Sequence, residues 1–182
     1  MKQIYFVTGN QHKLQEWQAM MPADITLESV DVDLVEIQSD DAQEIVADKV
    51  RRAYEVTGKP VVVEDVEAGL DKLGGLPGPF IKFFNNRLGN DALYQLAGKE
   101  GEKATVACTA GYYDGKSMII VRGEVQGTVV APRGDSFGFD IVFVPDGETL
   151  TYAEMSKEKK NSLSHRSKAI KLLIEKLESL PD

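Results

Sequence analysis

Apolar positions along this chain follow two rhythms. Short unbroken runs, Ile4-Tyr5-Phe6-Val7, Val61-Val62-Val63 and Ile141-Val142-Phe143-Val144, predict buried strands. Apolar residues spaced three and four apart predict helices. One covers 11–21, with Leu14, Trp17, Met20 and Met21 on its inner face. A second covers 41–57, with Ile45, Val46, Val50, Ala53 and Tyr54 inward, Asp41 and Glu44 as a capping box, and Gly58 and Pro60 as the stop. The last begins near Ser164, carries Ala169, Ile170, Leu173, Leu177 and Leu180, and ends at Pro181. Between these lie a strand over 25–30, a helix opening at Phe80, a short helix over 91–96, and a hairpin. The hairpin arms are 103–113 and 116–130 around Asp114-Gly115, with Gly123 and Gly127 marking bends or bulges.

The valine run gives the chain its centre. Three consecutive valines cannot alternate between core and solvent, so the strand is read as central and buried on both faces. Glu64 and Asp65 follow at once, at the strand's expected end. Paired carboxylates at the mouth of a core strand repel one another unless a cation or ordered water offsets them. A hard divalent metal would do so, and a solvated turn is the alternative.

Composition narrows the choice of partner. With 182 residues the chain is expected to form one domain over 1–182. A net charge of −8 disfavours binding to long nucleic acid, but not to a small phosphorylated ligand met by a few gathered lysines. Cys108 is the only cysteine, which leaves no intrachain disulfide and makes a core role the expectation. The opening residues lack a signal-peptide layout and no apolar run reaches a membrane span, so a cytoplasmic protein without membrane contact is expected.

Candidate chemistry is distributed along the chain. Thr8-Gly9-Asn10 turns a strand directly into a helix, where Asn10 is a natural N-cap and the first-turn N–H groups with Lys13 suit an anion. Glu36 closes an alternating acidic segment that starts at Asp31, and Lys49 lies beside an apolar helical stripe. Lys82 stands among Phe80, Ile81, Phe83 and Phe84, after the bent loop 73–79. Phe137 and Phe139 flank Gly138, where they could stack on a planar base or plug the core. His165 and Arg166 open the last helix at its positive end, an unfavourable place for a cation that implies another task.

Taken in order, these residues resemble the inosine triphosphate pyrophosphatase, or Ham1-like, family. The resemblance rests on Thr8-Gly9-Asn10-Gln11-His12-Lys13, Glu64-Asp65, Gly74-Gly75-Leu76-Pro77-Gly78-Pro79-Phe80-Ile81-Lys82 and Ala131-Pro132-Arg133-Gly134. It continues through Phe137-Gly138-Phe139-Asp140, Tyr152-Ala153-Glu154-Met155, Lys160-Asn161 and Ser164-His165-Arg166. It implies a mixed α/β fold with a long curved central sheet flanked by helices, two lobes with a nucleotide cleft between them, and a homodimer. It also implies Mg2+-dependent hydrolysis of ITP, dITP and XTP to the monophosphate and pyrophosphate, with Mn2+ as the alternative metal.

Carried over residue by residue, the resemblance gives Thr8, Asn10, Lys13, Lys49, Lys82 and Lys160 to the triphosphate. Glu36 and Asp65, with Glu64 beside them, fall to the metal, and Asp65, Lys13 and Glu36 to catalysis. Phe137 stacks on the purine, while Phe139, Asp140, Ser164, His165 and Arg166 line and read it. Val66-Glu67 replaces the small or hydroxyl residue common after the acid pair, and Phe139 stands where tryptophan is frequent. Two other functions stay open: a nucleotide-binding sensor without turnover, and a Maf-type pyrophosphatase acting on pyrimidine or modified nucleotides.

Overall fold

A computed structural model describes residues 2–180. The chain begins with β1 (Lys2–Val7), α1 (Gln11–Gln18), β2 (Ile25–Val30), α2 (Ala42–Thr57) and β3 (Val61–Leu70). β2 and β3 lie parallel to β1 on its two sides, so the two helical crossovers build a parallel three-strand block that ends the sheet at β2. Then come β4 (Pro77–Gly78), α3 (Ile81–Leu88), α4 (Ala92–Ala97), β5 (Lys103–Tyr113), β6 (Met118–Val129), β7 (Phe143–Pro145), α5 (Lys157–Leu163) and α6 (His165–Glu178). The strands form one mixed seven-stranded sheet in the order β2-β1-β3-β5-β6-β7, with β4 antiparallel to β3. The fold is mixed α/β, as expected.

Two compact units divide the chain. The first takes the residues up to Asp65, Cys108–Gly123 and the stretch from Arg166; the second takes Val66–Ala107 and Glu124–His165. Each has its own core. In the first, α2 lays Val46, Val50 and Ala53 against Val7, Val61 and Val63. Its helix packs so low over β5 that a Cβ on Gly111 would lie 2.6 Å from Val46. In the second, Phe139, Phe143 and Tyr152 pack with Leu70, Ile81 and Leu93.

Several expectations change in detail. α1 ends at Gln18, leaving Met20 and Met21 in a turn whose N–H groups bond to the Trp17 carbonyl. The Asp41–Glu44 capping box is half formed: Asp41 accepts from Gln43 N–H, but Glu44 accepts a hydrogen bond from the Ser39 hydroxyl, while Ser39 accepts from Asp41 N–H. Ile141 closes a 3-10 turn, so the strand expected over 141–144 starts at Phe143. α5 forms where only a lead-in was expected, capped by Ser156. The hairpin link is wider than Asp114-Gly115, because Asp114 Oδ1 accepts from both Lys116 and Ser117 N–H. Gly127 marks a close approach: a Cβ there would meet the Val144 carbonyl at 2.2 Å. Pro181, the expected helix stop, lies outside the described residues.

β3 differs most. The three valines are fully buried, as predicted, but the strand runs on through Glu64 and Asp65 to Leu70, so the acids sit inside it and not at its end. Farther along, Gly69 lies under the 71–76 loop, whose Gly75 N–H donates to the Leu70 carbonyl. A Cβ on Gly69 would stand 1.8 Å from the Gly75 carbonyl oxygen, and backbone cannot swing aside as a side chain can. Gly69→Ala is expected to lower unfolding free energy by about 2–3 kcal/mol with an unchanged urea m-value, measured by circular dichroism.

Candidate active site

In the first unit, β1 delivers the chain into α1 through Thr8-Gly9-Asn10. Asn10 Oδ1 accepts from His12 and Lys13 N–H at 3.0 and 3.2 Å, and Asn10 N–H donates to Thr8 Oγ1 at 3.1 Å. The expected anion pocket is thus already capped by the Asn10 carboxamide, and Thr8 shapes the turn. Lys13 leaves this turn to reach Glu64, with 3.0 Å between Nζ and Oε1.

Glu64 is the hub of a buried polar cluster. Trp17 Nε1 donates to it at 2.7 Å, while Arg166 donates through Nε at 3.0 and 3.2 Å and through Nη2 at 2.9 Å. The Cys108 thiol lies 3.6 Å from the same carboxylate. Arg166 Nη1 also pairs with Glu16. Burial opposes the charge on Glu64, but Arg166 and Lys13, together with the Arg166 and Trp17 hydrogen bonds, hold its carboxyl well below the usual range. Burial likewise opposes the charge on Arg166, and Glu64 and Glu16 keep its pKa well above normal. Cys108 moves the other way: burial first, then the Glu64 charge, push its thiol well up, so it is a core group.

Asp65 differs from its neighbour. Its Oδ2 is buried and accepts no hydrogen bond. Burial is the largest influence and raises its pKa; Lys49 and Lys13 draw it down, Glu36 and Glu64 push it up, and the result is about 6. Lys49 pairs with Glu36 and also donates to the Glu64 carbonyl at 3.3 Å. Lys49, Lys13 and Glu36 all act on the Asp65 carboxyl, and Lys49 and Glu36 also on each other, within this unit. Among the described residues no group of three His, Cys, Asp or Glu is arranged to hold a metal alone.

The second unit gathers the aromatic residues. Phe139 is buried beside Phe143 and 5.6 Å from the His165 ring, so it plugs the core. Phe137 is half-buried and outside that core, with Lys160 Nζ 5.6 Å from its ring centre. Lys160 is held at 2.7 Å by Asp140 Oδ2, which also accepts from Ser136 Oγ at 3.1 Å. Ser164 is buried at the link between α5 and α6, its N–H donating to the Lys160 carbonyl. Lys82 is exposed on α3, contrary to the crowding its neighbours suggest, because the helix turns Ile81 inward and Phe83 outward with it. Val66, at the unusual position after the acid pair, packs against the core of this unit.

Sequence reading missed Trp17, Glu16 and Cys108 as partners of the acid and arginine. Trp17 was legible as a core residue, and its indole N–H, which needs an acceptor when buried, was the available signal. Glu16 carried none.

The Ham1 family model matches residues 4–176. The chain is 44% identical over 176 residues to an inosine triphosphate pyrophosphatase of Pyricularia oryzae, covering 94% of this chain and 92% of that one. It is 40% identical over 183 residues to one of Schizosaccharomyces pombe, covering 98% and 97%. Among solved structures, a HAM1 protein from Coxiella burnetii superposes with a TM-score of 0.84 at 25% identity, over 99% of this chain and 100% of that one. A nucleoside-triphosphatase, dITP/XTP pyrophosphatase, from Mycobacterium abscessus gives 0.72 at 26%, over 94% and 98%.

Proposed function

The chain belongs to the Ham1 family, and from that premise we propose that it hydrolyses non-canonical purine nucleoside triphosphates, ITP, dITP and XTP, to the monophosphate and pyrophosphate. The observation that carries the reading is Asp65: a carboxylate with a bare buried oxygen, a pKa pushed up to about 6, and Lys13 and Lys49 acting on it. A group so tuned accepts a proton near neutral pH, which a base that activates water must do. No covalent nucleophile is needed.

The residues also fit a divalent cation. The bare Asp65 oxygen and the like charges of Glu36 and Glu64 that raise its pKa call for a positive partner. Asp65 and Glu36 would hold it; Glu64, engaged by Arg166, Lys13 and Trp17, would support them from within the strand. So few protein carboxylates would leave positions on the ion to phosphate oxygens and water, which would suit Mg2+, or Mn2+ in its place. The ion supplies charge to offset what builds up on the phosphate oxygens.

The chain's own groups do the rest. Asp65 orients the water and takes its proton as it attacks the α-phosphorus. Lys13 and Lys49, with Thr8, Asn10, Lys82 and Lys160, bind the triphosphate and stabilise the departing pyrophosphate. Phe137 stacks on the purine, backed by Phe139, Asp140, Ser164 and His165. The 6-keto oxygen accepts a hydrogen bond from a backbone N–H, since the Arg166 guanidinium is already engaged by Glu64 and Glu16, whereas the amino group of adenine presents a second donor and leaves both unsatisfied. A homodimer is the assembly the resemblance implies; among the described residues no helix is long and apolar enough to cross a membrane.

Chromatography of products from ITP, XTP, GTP, ATP and dTTP with Mg2+ tests the reading. Pyrophosphate and monophosphate are expected from ITP and XTP, with kcat/KM at least about 100-fold above ATP. Orthophosphate alone from ITP would sink it. Preference for dTTP would point to Maf-type chemistry, and tight ITP binding without turnover to a sensor.

A further inference from the structure

We propose that Asn90 is a positioning residue for base binding, clamping the backbone on both sides of Phe137 through its side-chain amide. The inference rests on the reading that Phe137 stacks on the purine, and it adds a residue outside every motif that suggested that reading.

Asn90 sits in the short link between α3 and α4 and is exposed. Its Nδ2 donates to the Ser136 carbonyl at 3.1 Å, and its Oδ1 accepts from the Gly138 N–H at 3.0 Å. Those groups belong to the two peptide planes that flank Phe137. Peptide planes are rigid, so the orientation of a residue between two of them is set by its φ and ψ alone. Holding both planes with one planar amide fixes the extended backbone of Phe137, at φ −97° and ψ 151°, and with it the direction in which the ring leaves the chain. Gly138 then turns the chain at φ 61°, the left-handed region that glycine adopts without strain.

The clamp has no evident work in folding. Asn90 is exposed, and Phe137 does not belong to the buried core that Phe139 completes. Other groups already tie down the far side of the loop, since Ser136 Oγ and Lys160 both meet Asp140. What remains for Asn90 is presentation of the ring. A stacking platform left mobile must be ordered when the base arrives, and that cost appears as lost affinity.

The experiment is a double-mutant cycle of Asn90→Ala and Phe137→Ala, with steady-state kinetics on ITP, inhibition by inorganic tripolyphosphate, and thermal melts. Asn90→Ala is expected to raise the KM for ITP about 5- to 20-fold, with kcat within about 2-fold. Inhibition by tripolyphosphate, which has no base, and the melting temperature should stay at wild-type values. In the Phe137→Ala background the Asn90 change should add nothing further to KM. If Phe137→Ala raises KM while Asn90→Ala leaves it alone, or lowers kcat and melting temperature together, the clamp is wrong and base stacking stands. If Phe137→Ala leaves KM unchanged, base stacking itself fails and takes the clamp with it.

Discussion

Replacing Asp65 with asparagine is expected to make the metal-free protein more stable at pH 8 while removing its activity. The native state raises the carboxyl from 3.8 to about 6, so it binds this proton more tightly than the unfolded chain does. The resulting stabilisation is complete below the unfolded value, shrinks as pH rises through the folded one, and leaves a standing cost above it. That shift corresponds to about 2–3 kcal/mol at pH 8. An uncharged amide of the same shape avoids the cost. Urea unfolding in EDTA should therefore place the variant above wild type at pH 8 and level with it near pH 4. ITP hydrolysis should fall by about 1,000-fold or more, because the amide cannot take a proton and brings no negative charge to a cation. In the wild type, kcat/KM should decline as pH falls and the proton occupies the base, and a bound cation should move that decline below the metal-free value. A variant that keeps its turnover, or that is weaker than wild type at pH 8, would contradict the assignment of Asp65.

Arg166→Leu is expected to be among the most destabilising single changes in the chain. Glu64 is 3% exposed and takes three of its hydrogen bonds from that guanidinium. Removing one partner of a buried ion pair leaves the other charged in a poor solvent, at about 3–5 kcal/mol. The sign of the pH dependence follows from Glu64. Its folded pKa is depressed, so in the wild type its contribution is present above the unfolded value of 4.5 and lost as pH falls through the depressed one. Without Arg166, burial gains the upper hand and the carboxyl rises. The deficit should therefore be largest at pH 8 and shrink toward pH 4.5 as Glu64 takes up a proton. Adding Glu64→Gln should recover part of the loss at pH 8, since an amide oxygen still accepts from Trp17. Equal small losses at both pH values would show that the pair is dispensable.

Much of the chain was legible from pattern alone. The valine run and its burial on both faces, the α2 stripe and its Gly58 stop, and the last helix opening at His165 all came from spacing and local chemistry. So did the odd placement of Arg166 at a positive helix end, which implied a further task for the guanidinium; a ligand edge was the expected target, and the structure shows Glu64 and Glu16 beside it. Where the reading slipped, local preference was overruled. Lys82 looked crowded in sequence and is exposed, because a helix separates neighbours that a list places together. From the residues alone Phe137 and Phe139 were both candidates for core plug or stacking platform, and only the resemblance gave the stack to Phe137; packing against Phe143 and His165 drew Phe139 inward and left Phe137 half-buried.

Glu64 and Asp65 mark the boundary most sharply. The sequence determined that two carboxylates follow a run of buried valines and that a family built on nucleotide hydrolysis supplies the frame. It held no means of telling the two acids apart, since they are adjacent and chemically alike. Tertiary structure decided between them. Adjacent residues in a strand point to opposite faces. One face brings Glu64 to Trp17 and to Arg166, 102 residues away, and buries it as a fixed anion. The other leaves Asp65 with a buried Oδ2 that accepts no hydrogen bond and a pKa raised, chiefly by burial, to about 6.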